Sequence, residues 1–230
     1  MTRKTTTDAA VDPATPLGAD DDSGSGDTAY AASEVPQRKR TILFTEMLVF
    51  AILSLIASWV LSYDAIVLAA NPDAVLSCSV NAIIDCAKVG TTWQANIFGF
   101  PNAFLGMISE PVVMTIAVAS LAKVRFPRWF MFTANVCYFL GVVFAYWLLW
   151  QSTYVIGALC PWCLLVTLST TFVFTSMTQW NILEGNLFLP EGLQEKARAF
   201  VTNGWFTVGL IAWLALVFIL EMLKWGHRFI

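Results

Sequence analysis

The stretch GALCPWCLLVTLSTTFVFTSMT, residues 157–178, joins a C-x-x-C motif to an apolar run long enough to cross a membrane. A bilayer core is crossed by about 20 apolar residues in α-helical conformation. Pro161 suits the first position of a helix, because its missing N–H would have no partner there in any case. The pattern therefore predicts a transmembrane helix with Cys160 at its N-cap and Cys163 in its first turn.

Four more apolar runs indicate that the chain crosses the membrane several times. Hydrophobic residues make up 57% of the chain and charged residues only 13%, against about 25% charged residues in an ordinary soluble domain. A surface this apolar needs lipid as its solvent. We therefore predict an all-α membrane protein, a four-helix transmembrane bundle with a fifth transmembrane helix. The other spans are roughly residues 42–62, 102–122, 129–150 and 204–224, the first with an apolar extension past Asp64 to Ala70.

Composition divides the chain into three parts. Residues 1–37 are rich in Thr, Asp, Ala, Gly and Ser, and because such a segment buries little apolar surface, we predict a disordered cytoplasmic tail. It does not resemble a signal peptide, because the first apolar run follows a basic triplet at 38–40 and is too long. Residues 38–180 are predicted to form the four-helix bundle, with an outer loop at 71–101. Residues 181–230 are predicted to form a cytoplasmic linker and the fifth helix.

Lys and Arg are distributed unevenly between the loops. If the N-terminus is cytoplasmic, ten basic residues lie inside and three lie outside. Because basic loops favour the cytoplasm, this orientation is predicted for a multi-pass cell-membrane protein. The 71–101 loop and the start of the fourth helix would then be extracytoplasmic, where disulfides persist. The inner residues are Arg3, Lys4, Arg38, Lys39, Arg40, Lys123, Arg125, Arg128, Lys196 and Arg198, and the outer ones are Lys88, Lys224 and Arg228.

Two pairs of cysteines would lie at this outer face. A helix N-terminus carries a partial positive charge that stabilises a thiolate, the form of cysteine that attacks disulfides. Taken alone, Cys160 and Cys163 are also compatible with a static bridge. Cys78 and Cys86 are, by themselves, better explained as a simple loop disulfide. Two pairs on one face favour disulfide exchange, in which an outer pair receives electrons and an inner pair passes them on.

The outer loop is long for a connection without structure, and such loops are usually functional. Its apolar residues predict a short helix that lies over the mouth of the bundle. This helix would bury the apolar side chains and bring Cys86 toward Cys160. The apolar residues are Ile83, Ile84, Val89, Trp93, Ile97, Phe98 and Phe100.

The order of these motifs resembles a known family. A C-x7-C pair at 78 and 86, the FGFPNA stretch at 98–103 and CPWC at 160–163 are together similar to the vitamin K epoxide reductase family, in particular its bacterial branch. The resemblance covers about residues 42–178. It implies a four-helix bundle around a quinone, capped by the outer loop.

The resemblance also implies a route for electrons. A secreted thioredoxin-like (DsbA-like) thiol oxidase would pass electrons to Cys78. Cys86 would relay them to Cys160, and Cys163 would face the quinone. The acceptor would be menaquinone, ubiquinone or a related naphthoquinone. Many bacterial members carry a fused thioredoxin-like domain, whereas this chain stops at Ile230, so a separate partner protein is expected.

Five residues are candidates for contact with the quinone, namely Asn102, Thr167, Phe98, Trp162 and Glu110. The resemblance implies that Asn102 hydrogen-bonds a quinone carbonyl; from the residues alone, its amide could equally cap a helix. Thr167 stands where vertebrate enzymes carry Tyr, which favours simple quinone reduction over epoxide reduction. Phe98 and Trp162 are candidates for packing on the quinone ring, although the sequence equally allows interfacial aromatics.

Three isolated residues complete the candidates. Glu110 lies inside the second apolar run, and because acids at membrane depth are costly, we hypothesise that it faces the bundle and assists proton delivery. The alternative is a protonated, hydrogen-bonded structural Glu. Cys137 is interpreted as a small apolar core residue without a redox role. His227 is the one histidine of the chain, so no metal centre based on histidine is expected.

Three other functions compete with this interpretation. A DsbB-type oxidase would perform the same net reaction, but there the quinone-reducing C-x-x-C precedes the shuttle pair, and here it follows. A soft-metal-handling membrane protein would usually add Met or His close to its paired thiolates. A structural membrane protein would carry incidental disulfides. Redox titration separates these, because a structural bridge stays oxidised, whereas a relay pair is reduced by partner thiols.

Overall fold

The computed structural model describes residues 35–81 and 83–229. The predicted disordered tail, residues 1–37, therefore lies almost entirely outside the described residues. No β-strand is present in the part of the chain that the structure describes, which confirms the all-α class. The helices are α1 (Gln37–Ala70), α2 (Cys86–Gly90), α3 (Ala103–Leu121), α4 (Arg128–Trp150), α5 (Pro161–Glu184), α6 (Glu191–Thr202) and α7 (Trp205–Phe229).

Five of these helices are long and apolar enough to cross a membrane, as far as the described residues go: α1, α3, α4, α5 and α7. The predicted span at 157–178 is shifted, because α5 begins at Pro161 and ends at Glu184. Residues Gln151–Ile156 continue α4 as a π-helix, and Gly157 ends it with a left-handed φ of 66°. Gly185, with φ of 71°, ends α5 in the same conformation, which glycine adopts without steric cost.

The bundle is organised around α1. Helix α1 packs against α3 and α5, and α4 packs against α5, whereas α3 and α4 touch little. Large side chains from all four helices fill the interior. Helix α7 lies outside this core and buries little of its surface. The core includes Phe44, Met47, Val113, Met131, Tyr138 and Met177.

Basic residues close one end of the bundle. Arg128 donates to the carbonyl of Gly185 at 2.6 Å, and Arg198 donates to that of Leu183 at 2.6 Å. Both carbonyls belong to the C-terminal end of α5, where the helix dipole favours a cation. The N-terminus of α5 and the C-terminus of α1 form the opposite end, called here the cysteine end.

The 71–101 segment covers the cysteine end, as expected, but it does not bury all of its apolar side chains. It contains α2 and a 3₁₀ turn at Trp93–Asn96. Trp93 and Phe98 remain 67% and 55% exposed. Their rings lie against those of Trp147 and Phe144 on α4, with centroids 6.3 and 5.8 Å apart, instead of under the cap. The prediction of burial was therefore wrong for Trp93 and Phe98, whose position suits aromatic residues at a membrane interface.

Candidate redox site

Three sulfur atoms meet at the cysteine end. Cys78 and Cys86 form a disulfide, and both are buried. The Sγ atom of Cys160 lies 3.5 Å from the Sγ atom of Cys86. The predicted approach of Cys86 to Cys160 is therefore present in the structure. The surrounding side chains Leu68 and Leu76 are apolar and buried, which keeps bulk water from the sulfur atoms.

The local sequence around Cys86 fixes its position. Asn81 Oδ1 accepts hydrogen bonds from the amides of Ile83 and Ile84 at 2.9 and 2.8 Å, which closes a tight turn. Asp85 caps α2 by accepting from the amide of Lys88 at 3.1 Å. Burial raises the pKa of Asp85, but hydrogen bonds from Ser79 and from backbone amides outweigh this, so its pKa falls below the usual value. Cys86 thus begins α2 directly after a charged, fixed cap.

Cys160 is the N-cap of α5, as predicted. Its Sγ accepts a hydrogen bond from the amide of Cys163 at 3.3 Å, and Pro161 occupies the first helical position. The side chain of Cys163 and the amides of Cys163 and Trp162 all donate toward this sulfur, and they lower the pKa of Cys160 although burial opposes them. A thiol with a lowered pKa is more readily available as a nucleophilic thiolate.

A short backbone bridge ties the two cysteine segments together. The amide of Leu159 donates to the carbonyl of Ile83 at 2.7 Å, and the amide of Asp85 donates to the carbonyl of Leu159 at 3.2 Å. This is an isolated parallel bridge between Ile84 and Leu159. Because Cys86 and Cys160 follow these residues closely, the bridge holds their sulfur atoms together.

An apolar cavity of about 420 Å³ extends from the thiols into the bundle. Cys86, Cys160 and Cys163 line it, together with Asn102 and Thr167. Its volume lies within the range of about 300–1,000 Å³ that is usual for small-molecule sites. A flat, largely apolar molecule would therefore be in reach of the Cys163 thiol.

Asn102 lies in the cavity wall and holds the cap in place. Its Nδ2 donates to the carbonyl of Gln94 at 2.6 Å, and its Oδ1 accepts from the amide of Ile97 at 3.3 Å. It occupies the N-cap position of α3, yet its side chain makes no capping hydrogen bond there. The helix-cap interpretation was therefore wrong, and hydrogen bonding of Asn102 to a quinone stays a prediction.

The two aromatic candidates lie outside the cavity wall. Phe98 is exposed and does not line the cavity, although its ring contacts that of Phe144, which does. Trp162 is half-buried and packs against the cysteine cluster. Packing of either ring on a quinone stays a prediction that this geometry does not support.

Thr167 and Glu110 both line the cavity. Thr167 Oγ1 donates at 2.9 Å to the carbonyl of Cys163, which lies one helical turn earlier in α5. Glu110 faces the bundle, as hypothesised, and is only 3% exposed. It accepts hydrogen bonds from Ser54 Oγ at 2.8 Å and from Tyr138 OH at 2.9 Å. Glu110 thus joins α1, α3 and α4 at the cavity wall.

Sequence reasoning missed Asp64 as a site residue. Its carboxylate is buried, lines the cavity and lies 3.7 Å from Cys78 Sγ. An acid inside an apolar run is a signal for function, but Asp64 is near the end of the first predicted span, where a charge has an ordinary explanation. The extension of α1 to Ala70 is what carries this residue into the site.

The cavity also reaches the outer surface of the bundle between α3 and α4. Ile108 and Val112 on α3 and Cys137 and Gly141 on α4 line the cavity, and all four are exposed on the outside. This opening follows from the sparse contact between the two helices. The interpretation of Cys137 as a core residue was therefore wrong.

A disulfide with a free thiol 3.5 Å away, beside an apolar cavity in a chain with five candidate spans, defines a membrane thiol–disulfide oxidoreductase. The model of the vitamin K epoxide reductase family matches residues 45–178. The match covers more than half of the chain, and the chain belongs to this family, which is associated with quinones. No curated protein matches the chain.

The described residues contain no group of three or more His, Cys, Asp or Glu side chains arranged to hold a metal ion.

Proposed function

We propose that this protein reoxidises an extracytoplasmic thioredoxin-like (DsbA-like) thiol oxidase and passes the electrons to a membrane quinone. The observation that carries the proposal is the 3.5 Å contact between Cys160 and the Cys78–Cys86 disulfide, next to a cavity that opens sideways. The excess of Lys and Arg in the loops of the other end supports an N-terminus in the cytoplasm and an active site outside it. In this proposal residues 38–180 form the catalytic bundle, and residues 181–230 form a linker and the fifth span.

The first half of the reaction regenerates the partner. A partner thiolate attacks Cys78 Sγ, the Cys78–Cys86 bond breaks, and Cys86 leaves as a thiolate. The second partner thiol then attacks the mixed disulfide, which releases Cys78 as a thiol and the partner as a disulfide. The two electrons now reside on Cys78 and Cys86.

The second half moves the electrons inward. The Cys86 thiolate attacks Cys160 of a Cys160–Cys163 disulfide, and Cys163 leaves as a thiolate. Cys78 then displaces Cys160 from Cys86, which restores the outer disulfide. Cys160 and Cys163 finally give two electrons and two protons to the quinone and close their own disulfide, with quinol as the product. The observed combination of an outer disulfide and two inner thiols matches the stage just before quinone reduction.

Two carboxyl groups are suited to move the protons. Asp64 adjoins Cys78 and can receive a proton as thiols become thiolates. Glu110, held by Ser54 and Tyr138 at the cavity wall, can pass a proton to the reduced quinone. Because the protons released by two thiols equal those taken up by one quinone, the net reaction needs no external proton.

The test is purified protein in lipid nanodiscs with a reduced DsbA-like donor and either menaquinone or ubiquinone. Cys78→Ala should block oxidation of the donor but leave quinone reduction by a small dithiol intact. Cys163→Ala should abolish quinone reduction by any donor, and Cys137→Ala serves as the matched control. Equal and partial loss in the Cys78 and Cys163 variants would contradict the relay order.

A further inference from the structure

The end of α4 that leads to Cys160 has an unusual conformation. Residues Gln151–Ile156 form a π-helix, a rare conformation that is frequent at functional sites. Within it, Thr153 is fully buried. The segment then turns back, because Ser152 Oγ donates to the carbonyl of Ala158 at 2.6 Å and the amide of Ala158 donates to the carbonyl of Ser152 at 3.1 Å.

Helix α7 contacts this π-helix through an acidic residue. Thr153 Oγ1 donates to the two carboxyl oxygens of Glu221 at 3.0 and 3.2 Å. Trp225 Nε1 donates to the same carboxyl group at 3.2 Å, and Trp225 is 1% exposed. An acid in a membrane-crossing helix is costly and needs such partners. Most of α7 is exposed, and this polar contact joins its second half to the π-helix.

Hydrogen bonds between neighbouring segments connect Glu221, step by step, to the segments that carry the reacting sulfur atoms. Glu221 holds Thr153, and the neighbouring Ser152 holds Ala158. Leu159 follows Ala158 and bonds to the carbonyl of Ile83 in the segment that carries Cys86. Displacement of the π-helix would therefore strain the Ile84–Leu159 bridge that keeps Cys160 beside Cys86.

We propose that Glu221 is a positioning residue that holds the π-helical end of α4, so that Cys160 stays in bonding reach of Cys86. The inference rests on the proposed function, since it assigns the fifth span to the exchange step and not only to membrane anchoring. The step concerned forms the Cys86–Cys160 bond as Cys163 leaves as a thiolate. Quinone reduction by Cys160 and Cys163 does not require this contact with Cys86.

The test measures how strongly Cys86 and Cys160 favour their mutual bond. In a Cys78→Ala, Cys137→Ala, Cys163→Ala background, only these two thiols remain, and equilibration with glutathione gives the equilibrium constant of their disulfide. Glu221→Leu should lower this constant about tenfold, or about 30 mV in the potential of the pair. Glu221→Gln should stay close to the parent, because its amide oxygen still accepts from Thr153.

Trp213→Phe is the matched control on the same helix. It removes the 2.8 Å hydrogen bond from Trp213 Nε1 to Tyr146 OH, which joins α7 to α4 before the π-helix begins. It should leave the Cys86–Cys160 equilibrium unchanged. An unchanged constant in Glu221→Leu, or an equal loss in Trp213→Phe, would overturn the inference.

A second measurement separates positioning from general instability. In the protein with all five of its cysteines, Glu221→Leu should slow steady-state oxidation of the partner about tenfold, while quinone reduction driven by a small dithiol stays within about twofold of the parent. A parallel loss of both steps would show a merely structural role and overturn the inference. If the parent protein reduces no quinone, the proposed function fails, and the glutathione equilibrium still decides whether Glu221 positions the pair.

Discussion

The Sγ atoms of Cys86 and Cys160 lie 3.5 Å apart, although 74 residues separate them in the chain. The contact joins the first residue of α2, which is in a disulfide, to a free thiol at the N-cap of α5. A backbone bridge at Ile84 and Leu159 holds it from one side, and the end of α1 packs against it from the other. Exchange between the two pairs therefore needs little movement of the backbone.

Cys78→Ala should trap the intermediate of this exchange. Without Cys78, the bond formed when Cys86 attacks Cys160 cannot be resolved, so a Cys86–Cys160 disulfide accumulates. Mass spectrometry of non-reduced peptides should find this link as the main product in the oxidised variant without added dithiol, because attack of Cys86 on the Cys160–Cys163 disulfide needs no external electrons. Cys86→Ala is the control and should give no such link. A main link between Cys86 and Cys163 would contradict the assignment of Cys160 as the attacked sulfur.

Asp64→Asn should slow thiol exchange with the partner at neutral pH. The buried carboxylate next to Cys78 is the group placed to accept a thiol proton. The rate should fall about tenfold and recover as the pH rises, because thiols ionise without help near their own pKa of about 8.5. Stopped-flow measurement of partner oxidation from pH 6 to about 9 checks this. Ser62→Ala, a buried change on the same helix, should keep the parent profile.

Glu110→Gln should lower quinone reduction about tenfold or more, because the amide cannot donate a proton as the carboxyl group does. The amide can still accept from Ser54 and Tyr138, so the bundle should stay folded. Quinol formation followed by absorbance, with a small dithiol as the donor, is the measurement. Exchange between the cysteine pairs should not change. Unaltered quinone turnover would leave Glu110 as a structural residue.

The parts of the site that were predictable are those that depend on local sequence. Apolar length predicts the five spans, and Pro161 next to Cys160 predicts the N-cap. The π-helix at Gln151–Ile156 was not predictable, because its register depends on contacts with α7 that no local pattern encodes. The exposed position of Phe98 likewise depends on a contact between its ring and that of Phe144 on α4. The π-helix and the position of Phe98 depend on packing between residues that are distant in sequence, which the motifs do not predict.

Gly106→Ala should destabilise the bundle by about 1–3 kcal/mol, a usual cost of overpacking. A methyl group at this position would lie 2.9 Å from Ser58 Cβ and closer still to its Oγ, at the contact between α1 and α3. Thermal unfolding in detergent provides the measurement. Ser58→Ala in the same chain removes the nearest atom and should recover part of the loss. Additive effects of the two substitutions would show that the helices do not meet here.

Gly141→Trp should obstruct the lateral opening between α3 and α4. Gly141 lines the cavity, and no atom lies within 4 Å of a methyl group placed there, so the indole can project into the opening without a backbone clash. The Michaelis constant for quinone should rise about tenfold or more if quinone enters from lipid by this route, while exchange between the cysteine pairs stays unchanged. Steady-state kinetics over a series of quinone concentrations tests this.

The matched control for the opening is Gly209→Trp on α7, where a side chain also meets open space. It should leave the Michaelis constant unchanged. Cys137 offers a second probe, since it is exposed beside the opening. A lipid-soluble maleimide should modify Cys137 in membranes and inhibit quinone reduction, and added quinone should protect it. Full quinone turnover after complete modification, together with normal kinetics in Gly141→Trp, would place the entrance elsewhere in the bundle.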